Sequence, residues 1–64
     1  MYWLRYKLIY TVTLADGQEE TRETKIEADN FHDAFNLAEK FISEAVVKDE
    51  RVFTADFNAL RREG

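Results

Sequence analysis

The sequence predicts an α+β fold: a three-stranded antiparallel sheet in β-β-α-β order, spatial order 2-1-3, with one helix packed on one face. Three observations lead there. Residues 2–14 alternate apolar and polar with period two, residues 30–47 carry an apolar stripe of helical period, and residues 51–60 alternate again.

In the first segment Tyr2, Leu4, Tyr6, Leu8, Tyr10, Val12 and Leu14 hold the even positions. Trp3, Arg5, Lys7, Ile9, Thr11 and Thr13 hold the odd ones, which is the pattern of a long, half-buried strand. Ala15-Asp16-Gly17 is a turn signal, and a second strand runs from Gln18 to Ala28. Parity sets the loop length. The second strand's core candidates, Ile26 and Ala28, must share a face with the even residues of strand one. A two-residue Asp16-Gly17 loop would turn them outward. A three-residue loop, 15–17, pairs Leu14 with Gln18, Tyr6 with Ile26 and Leu4 with Ala28. Such a loop is a type I turn followed by a left-handed residue, the place for Gly17. The same register sets Arg5 opposite Glu27 on the outer face, a favourable cross-strand pair.

Asn30 is a good N-cap, with Asp29 and Asp33 adding negative charge at the positive end of a helix that runs to Val47. Phe31, Ala34, Phe35, Ala38, Phe41, Ile42 and Ala45 recur at three- and four-residue steps and form the stripe that covers the sheet. His32, Asn36, Glu39, Lys40, Ser43 and Glu44 fall on the other side. Lys48-Asp49-Glu50 breaks the stripe. In residues 51–60 the inward set reads Phe53, Ala55, Phe57 and Ala59; the competing reading is a short helix capped by Thr54. The helix returns the chain so that strand three lies antiparallel beside strand one, which is the longest and most apolar strand and takes the centre.

Sixty-four residues make one domain, 1–64, with one thin core. There is no cysteine, hence no disulfide framework and no thiolate site, and a reducing compartment is favoured. No apolar run approaches the roughly 20 residues of a membrane span. The opening Met1-Tyr2-Trp3-Leu4-Arg5 lacks the build of a signal peptide, so the expected location is cytoplasmic. The net charge of −4 is unevenly spread: residues 16–33 hold seven acidic side chains against Arg22 and Lys25. A net-acidic chain lacks the electrostatic footprint of a general nucleic-acid binder, which argues against direct nucleic-acid binding.

Catalytic constellations are missing. Gly17 belongs to a hairpin turn, so no glycine-rich phosphate loop exists. His32 is the only histidine and Ser43 the only serine, and neither has a sequence-evident partner for metal ligation or nucleophilic attack. The expectation is a non-enzymatic protein with no cofactor and no metal.

Two surface features point to a binding role instead. The sheet face opposite the helix is open and presents Trp3, Arg5, Lys7 and Ile9 from the centre strand. Glu19, Thr21, Glu23, Lys25 and Glu27 line its second strand, and Val52, Thr54, Asp56, Asn58 and Leu60 its third. Tryptophan and arginine are favoured interface anchors, so Trp3, Arg5, Lys7, Ile9, Glu19, Glu23, Glu27 and Arg51 are the candidate residues for a protein partner. The second feature is the acidic band running from strand two into the helix start, which gives an alternative: an acidic nucleic-acid mimic or nucleic-acid-associated regulator. A third reading is a structural subunit that self-associates through the open face, as a weak homodimer.

The stretch Lys25-Ile26-Glu27-Ala28-Asp29-Asn30-Phe31-His32-Asp33-Ala34-Phe35-Asn36-Leu37-Ala38-Glu39-Lys40-Phe41 runs from a strand ending in alanine, through a capped turn, into a helix. With the chain length and element order it resembles the small inhibitors of bacterial RNA polymerase made by short-tailed coliphages. That resemblance implies a phage host-takeover protein that acts in the host cytoplasm by docking on the polymerase and inhibiting transcription. The inhibitors rely on arginines within the third strand. Here residues 52–60 contain none, and Arg51, Arg61 and Arg62 flank them.

Overall fold

A computed structural model describes residues 3–63. It contains β1 (Leu4–Leu14), β2 (Glu19–Ala28), the helix α1 (Phe31–Lys48) and β3 (Val52–Glu63). The strands form one antiparallel sheet in the order β2-β1-β3, as the alternation patterns predict. Tyr2, which the alternation adds to the first strand, lies outside the described residues.

The β1–β2 ladder has the register that parity demands, with Leu4 opposite Ala28, Arg5 opposite Glu27 and Tyr6 opposite Ile26. The hairpin closes through Leu14 N–H to the Gln18 carbonyl at 2.7 Å and Gly17 N–H to the Leu14 carbonyl at 2.9 Å. Gly17 has φ +91°, the left-handed region that a side chain resists, and the Asp16 carboxylate accepts from Gln18 N–H at 3.0 Å. At the helix start Asn30 Oδ1 accepts from the backbone N–H of Asp33 at 2.9 Å, satisfying one of the orphan donors of the first turn.

The core lies between the helix and one sheet face. Tyr6, Leu8, Tyr10 and Val12 of β1 are buried with Ile26 and Ala28 of β2, Val52 of β3 and Ala34 and Ala38 of the helix. Ala34 and Ala38 are the helical residues that are fully buried, and Ile42 and Val46 pack against the same core half-buried. Small side chains let the helix lie close to the sheet, nearest to β3. The phenylalanines of the same stripe therefore splay over the sheet's flanks, and Phe31, Phe35 and Phe41 each stay more than a third exposed. A sheet of only three strands is too narrow to cover them.

Strand three departs from its expected facing. Its ladder with β1 shifts register twice, between Ile9 and Tyr10 and between Thr13 and Leu14. Phe53 and Asn58 are the extra residues at these bulges, and each bulge reverses the parity of the strand residues beyond it. Val52 and Leu60, expected on the open face, pair with Leu14 and Leu8 on the helix side. Ala59, expected inward, faces out beside Ile9, and Phe53 is 72% exposed. Ala55 and Phe57 do point inward, opposite Val12 and Tyr10. The strand also continues to Glu63, which places Arg61 and Arg62 inside it. The competing helical reading of this tail is excluded.

Candidate functional site

The bare sheet face gathers Arg5, Lys7, Ile9, Glu19, Glu23 and Glu27, six of the eight candidate residues, on neighbouring β1 and β2 positions. It is a polar surface. Lys7 Nζ lies 3.3 Å from Glu23 Oε2 and 3.8 Å from Glu63 Oε2, bridging both outer strands. Asn58 Nδ2 donates to Thr11 Oγ1 at 2.7 Å. Arg5, Lys25, Glu27 and Glu63 line a shallow depression at one end, where charges of both signs alternate. Ile9 brings a large apolar side chain to it, half-buried between Glu23 and Ala59.

Trp3 sits elsewhere. It precedes β1 and lines a groove with Ala28, Asp29, Asp33, Asn36 and Leu37, on the helix-bearing side of the molecule. The strand alternation that assigns it to the bare face does not extend to it, because Leu4 is the first residue of the ladder. Arg51 is separate again, in the turn between α1 and β3. Its backbone N–H donates to Asp49 Oδ1 at 3.0 Å and its Nε to the same oxygen at 3.3 Å. These bonds, the backbone one first, hold the Asp49 carboxyl below the ordinary aspartate value of 3.8. The Arg51 carbonyl accepts from Ala15 N–H at 2.9 Å, tying this turn to the hairpin tip. It therefore lies at the opposite end of β1 from Trp3, about 35 Å away at the rise of an extended strand.

The exposed apolar surface flanks the helix on both sides. Over β2, Trp3 (58% exposed) and Leu37 (45%) share the groove already described, and on the other side of Leu37 a second depression is lined by Ile26, Glu27, Lys40, Phe41 and Glu44. Glu27, Asp29, Asp33 and Glu44 border the two with only Lys40 to oppose them. Toward β3, Phe31 stacks on Phe35 with ring centroids 6.5 Å apart, and Phe35 meets Phe57 edge-on at 5.4 Å. Tyr6 and Tyr10 anchor these flanks from below, edge-on to Phe31 and Phe41.

Sequence reasoning misses Leu37, which falls between the apolar stripe and the polar side of the helical wheel and belongs clearly to neither. It takes Asp29 and Asp33 as helix-end charges and as part of the acidic band, without joining them to Trp3 and Leu37. The signal that could join them is the Ala28-Asp29-Asn30 turn, which brings the end of β2 against the first two helical turns. Among the described residues, no group of three or more His, Cys, Asp or Glu side chains could hold a metal ion, and no helix is long and apolar enough to cross a membrane. No protein-family model, curated protein or solved structure matches the chain.

Proposed function

We propose that this chain is a non-enzymatic protein-binding inhibitor or modulator, and that it docks through the groove between α1 and the end of β2. The observation that carries the reading is Trp3, more than half exposed against Leu37 over the buried Ala28, with Asp29 and Asp33 on the rim. A rigid aromatic beside an apolar floor is the usual composition of an interface anchor. The carboxylate rim selects a partner segment that carries a large apolar side chain flanked by lysine or arginine. The acidic band is a weaker phosphate mimic than its composition suggests, since Lys7 pairs with Glu23 and Arg22 lies 3.5 Å from Glu20.

The resemblance to the coliphage inhibitors makes bacterial RNA polymerase the first partner to test, and the extension of β3 through Arg61 and Arg62 supports that choice. Binding to purified polymerase, with transcription as the readout, decides it; a chain that neither binds nor inhibits ends the polymerase reading. For any partner that binds, Trp3→Ala should weaken affinity by about 2 kcal/mol, roughly thirtyfold, with the fold unchanged by circular dichroism. Asp33→Lys should weaken it and flatten its salt dependence, while Glu19→Lys on the far end of the bare face should leave it alone. Equal affinity of the parent and Trp3→Ala for the partner would remove the groove from the reading.

A further inference from the structure

The two edges of the sheet are defended differently. β2 carries Glu19, Glu20, Arg22, Glu23, Lys25 and Glu27, so six of its ten residues are charged, which is how natural sheets keep an edge from pairing. β3 carries four charges in twelve residues, Asp56 and then Arg61, Arg62 and Glu63 gathered at its end, so its stretch from Val52 to Leu60 has only Asp56 among Phe53, Ala55, Phe57, Ala59 and Leu60, and no proline. Phe57 of this less charged edge meets Phe35 of the helix, which stacks in turn on Phe31. The molecule is also larger than a compact monomer of its length. Its radius of gyration is 12.4 Å, against about 10.7 Å expected for a single domain of this size. Its accessible surface is 4806 Å², against about 4,300 Å² for a folded monomer of its mass.

We infer that β3 pairs antiparallel with β3 of a second copy across a two-fold axis, giving a continuous six-stranded sheet of order 2-1-3-3-1-2 with both helices on one side. The facing of β3 restricts the register. Helix-side residues must meet helix-side residues, and these are Val52, Ala55, Phe57, Leu60 and Arg62. Two registers satisfy that over most of the strand. One sets Asp56 against Asp56 of the second copy, a like-charge pair that disfavours it. The other sets Asp56 against Arg61 of the second copy and Phe57 against its Leu60, each pair occurring twice by symmetry. A bulge ordinarily spoils an edge for pairing. Here the axis passes beside Asn58 in both copies, so the offset is the same in both strands and is absorbed at the centre. The assembly places the Phe31, Phe35 and Phe57 flank of one copy beside the same flank of the other. Both Trp3 grooves stay open over the outer β2 strands.

A charge swap followed by sedimentation equilibrium across the micromolar range tests this. The parent should dimerise. Arg61→Asp and Asp56→Arg should each weaken the dimer about tenfold or more, since each reversal acts on both symmetry-related pairs. Within one chain Arg61 lies opposite Lys7 and Asp56 opposite Thr11, so neither change removes an internal ion pair, and circular dichroism should show both variants folded. The double variant should regain the dimer. A monomeric parent overturns the inference, and so does a dimer indifferent to both single reversals. Trp3→Ala should dimerise as the parent does, and monomeric Asp56→Arg should still bind a partner through the groove, so the two readings fail independently.

Discussion

The two faces of this sheet are built from alternate residues of the same strand, and they have opposite characters. On β1 the side chains of Tyr6, Leu8, Tyr10 and Val12 are buried beneath the helix, while Arg5, Lys7, Ile9 and Thr11 between them form a solvated, cross-paired surface. One would look for a docking surface on the bare face, because it is the uncovered one. It is the helix side that leaves apolar groups in water. Covering a sheet with a helix that packs through Ala34 and Ala38 closes the centre of the face and leaves its margins open. Phe31, Phe35 and Phe57 lie along one margin, and Trp3, Leu37 and Phe41 along the other. A face left bare can satisfy itself with ion pairs and threonines, whereas the rim of a covered face cannot.

The largest test of that contrast compares neighbours on β1. Leu8 is fully buried, so Leu8→Ala should cost about 3 kcal/mol through lost burial and a residual cavity. A domain of this size has on the order of 3–10 kcal/mol in total, so the variant should lose about a third or more of its stability. Ile9→Ala, one residue away on the bare face, should cost less than half as much in the same urea titration. Equal losses would mean that the bare face contributes packing comparable to the core.

Next in size is the device that keeps the two faces sorted. A slip of one residue in the hairpin would exchange every side chain of β2 between faces, and Gly17 is what holds the three-residue loop. At φ +91° nothing lies within 4 Å of a β-carbon added there, so the cost of a side chain is conformational rather than steric crowding. Gly17→Val should destabilise by about 1–2 kcal/mol, against a negligible change for Gln18→Val, read as the difference in urea midpoint. A midpoint shift no larger than that of Gln18→Val would show that the loop tolerates another geometry.

These tests also mark what is legible in the sequence. The hairpin register and the helix cap come from parity, glycine placement and the Asn30 side chain, all local signals, and the order of the strands from the helix crossover and the length and apolarity of strand one. The facing of β3 does not, because Phe53-Thr54-Ala55-Asp56-Phe57 alternates cleanly and nothing local marks the residues at which the ladder slips. Those bulges are set by the partner strand: Leu8 and Leu14 need Leu60 and Val52 above the core, and the backbone yields to bring them there. Trp3 is misplaced for a related reason. Alternation reads parity, and parity carries no meaning one residue outside the ladder. The candidate groove is invisible in the sequence because its walls, Trp3, Ala28 and Leu37, come from three elements whose apposition depends on how close the alanines bring the helix.

The smallest expected effect is at the centre of the bare face. Lys7 makes two ion pairs at once, 3.3 Å to Glu23 and 3.8 Å to Glu63, and a bridge across both ladders looks like a structural clasp. Its side chain is 37% exposed and those of Glu23 and Glu63 are 57% and 40% exposed, so water screens each pair. The attraction must also offset the entropy of holding three long side chains together. Lys7 further lies between Lys25 on β2 and Arg61 on β3, whose like charges oppose it. Lys7→Met keeps the apolar stem over the sheet and removes only the charge. It should change stability by less than about 0.5 kcal/mol at physiological salt, and the remainder should vanish as salt is raised. A loss above about 1 kcal/mol that survives high salt would show that the bare face is held by a desolvated ion network, and would erase the contrast between the two faces.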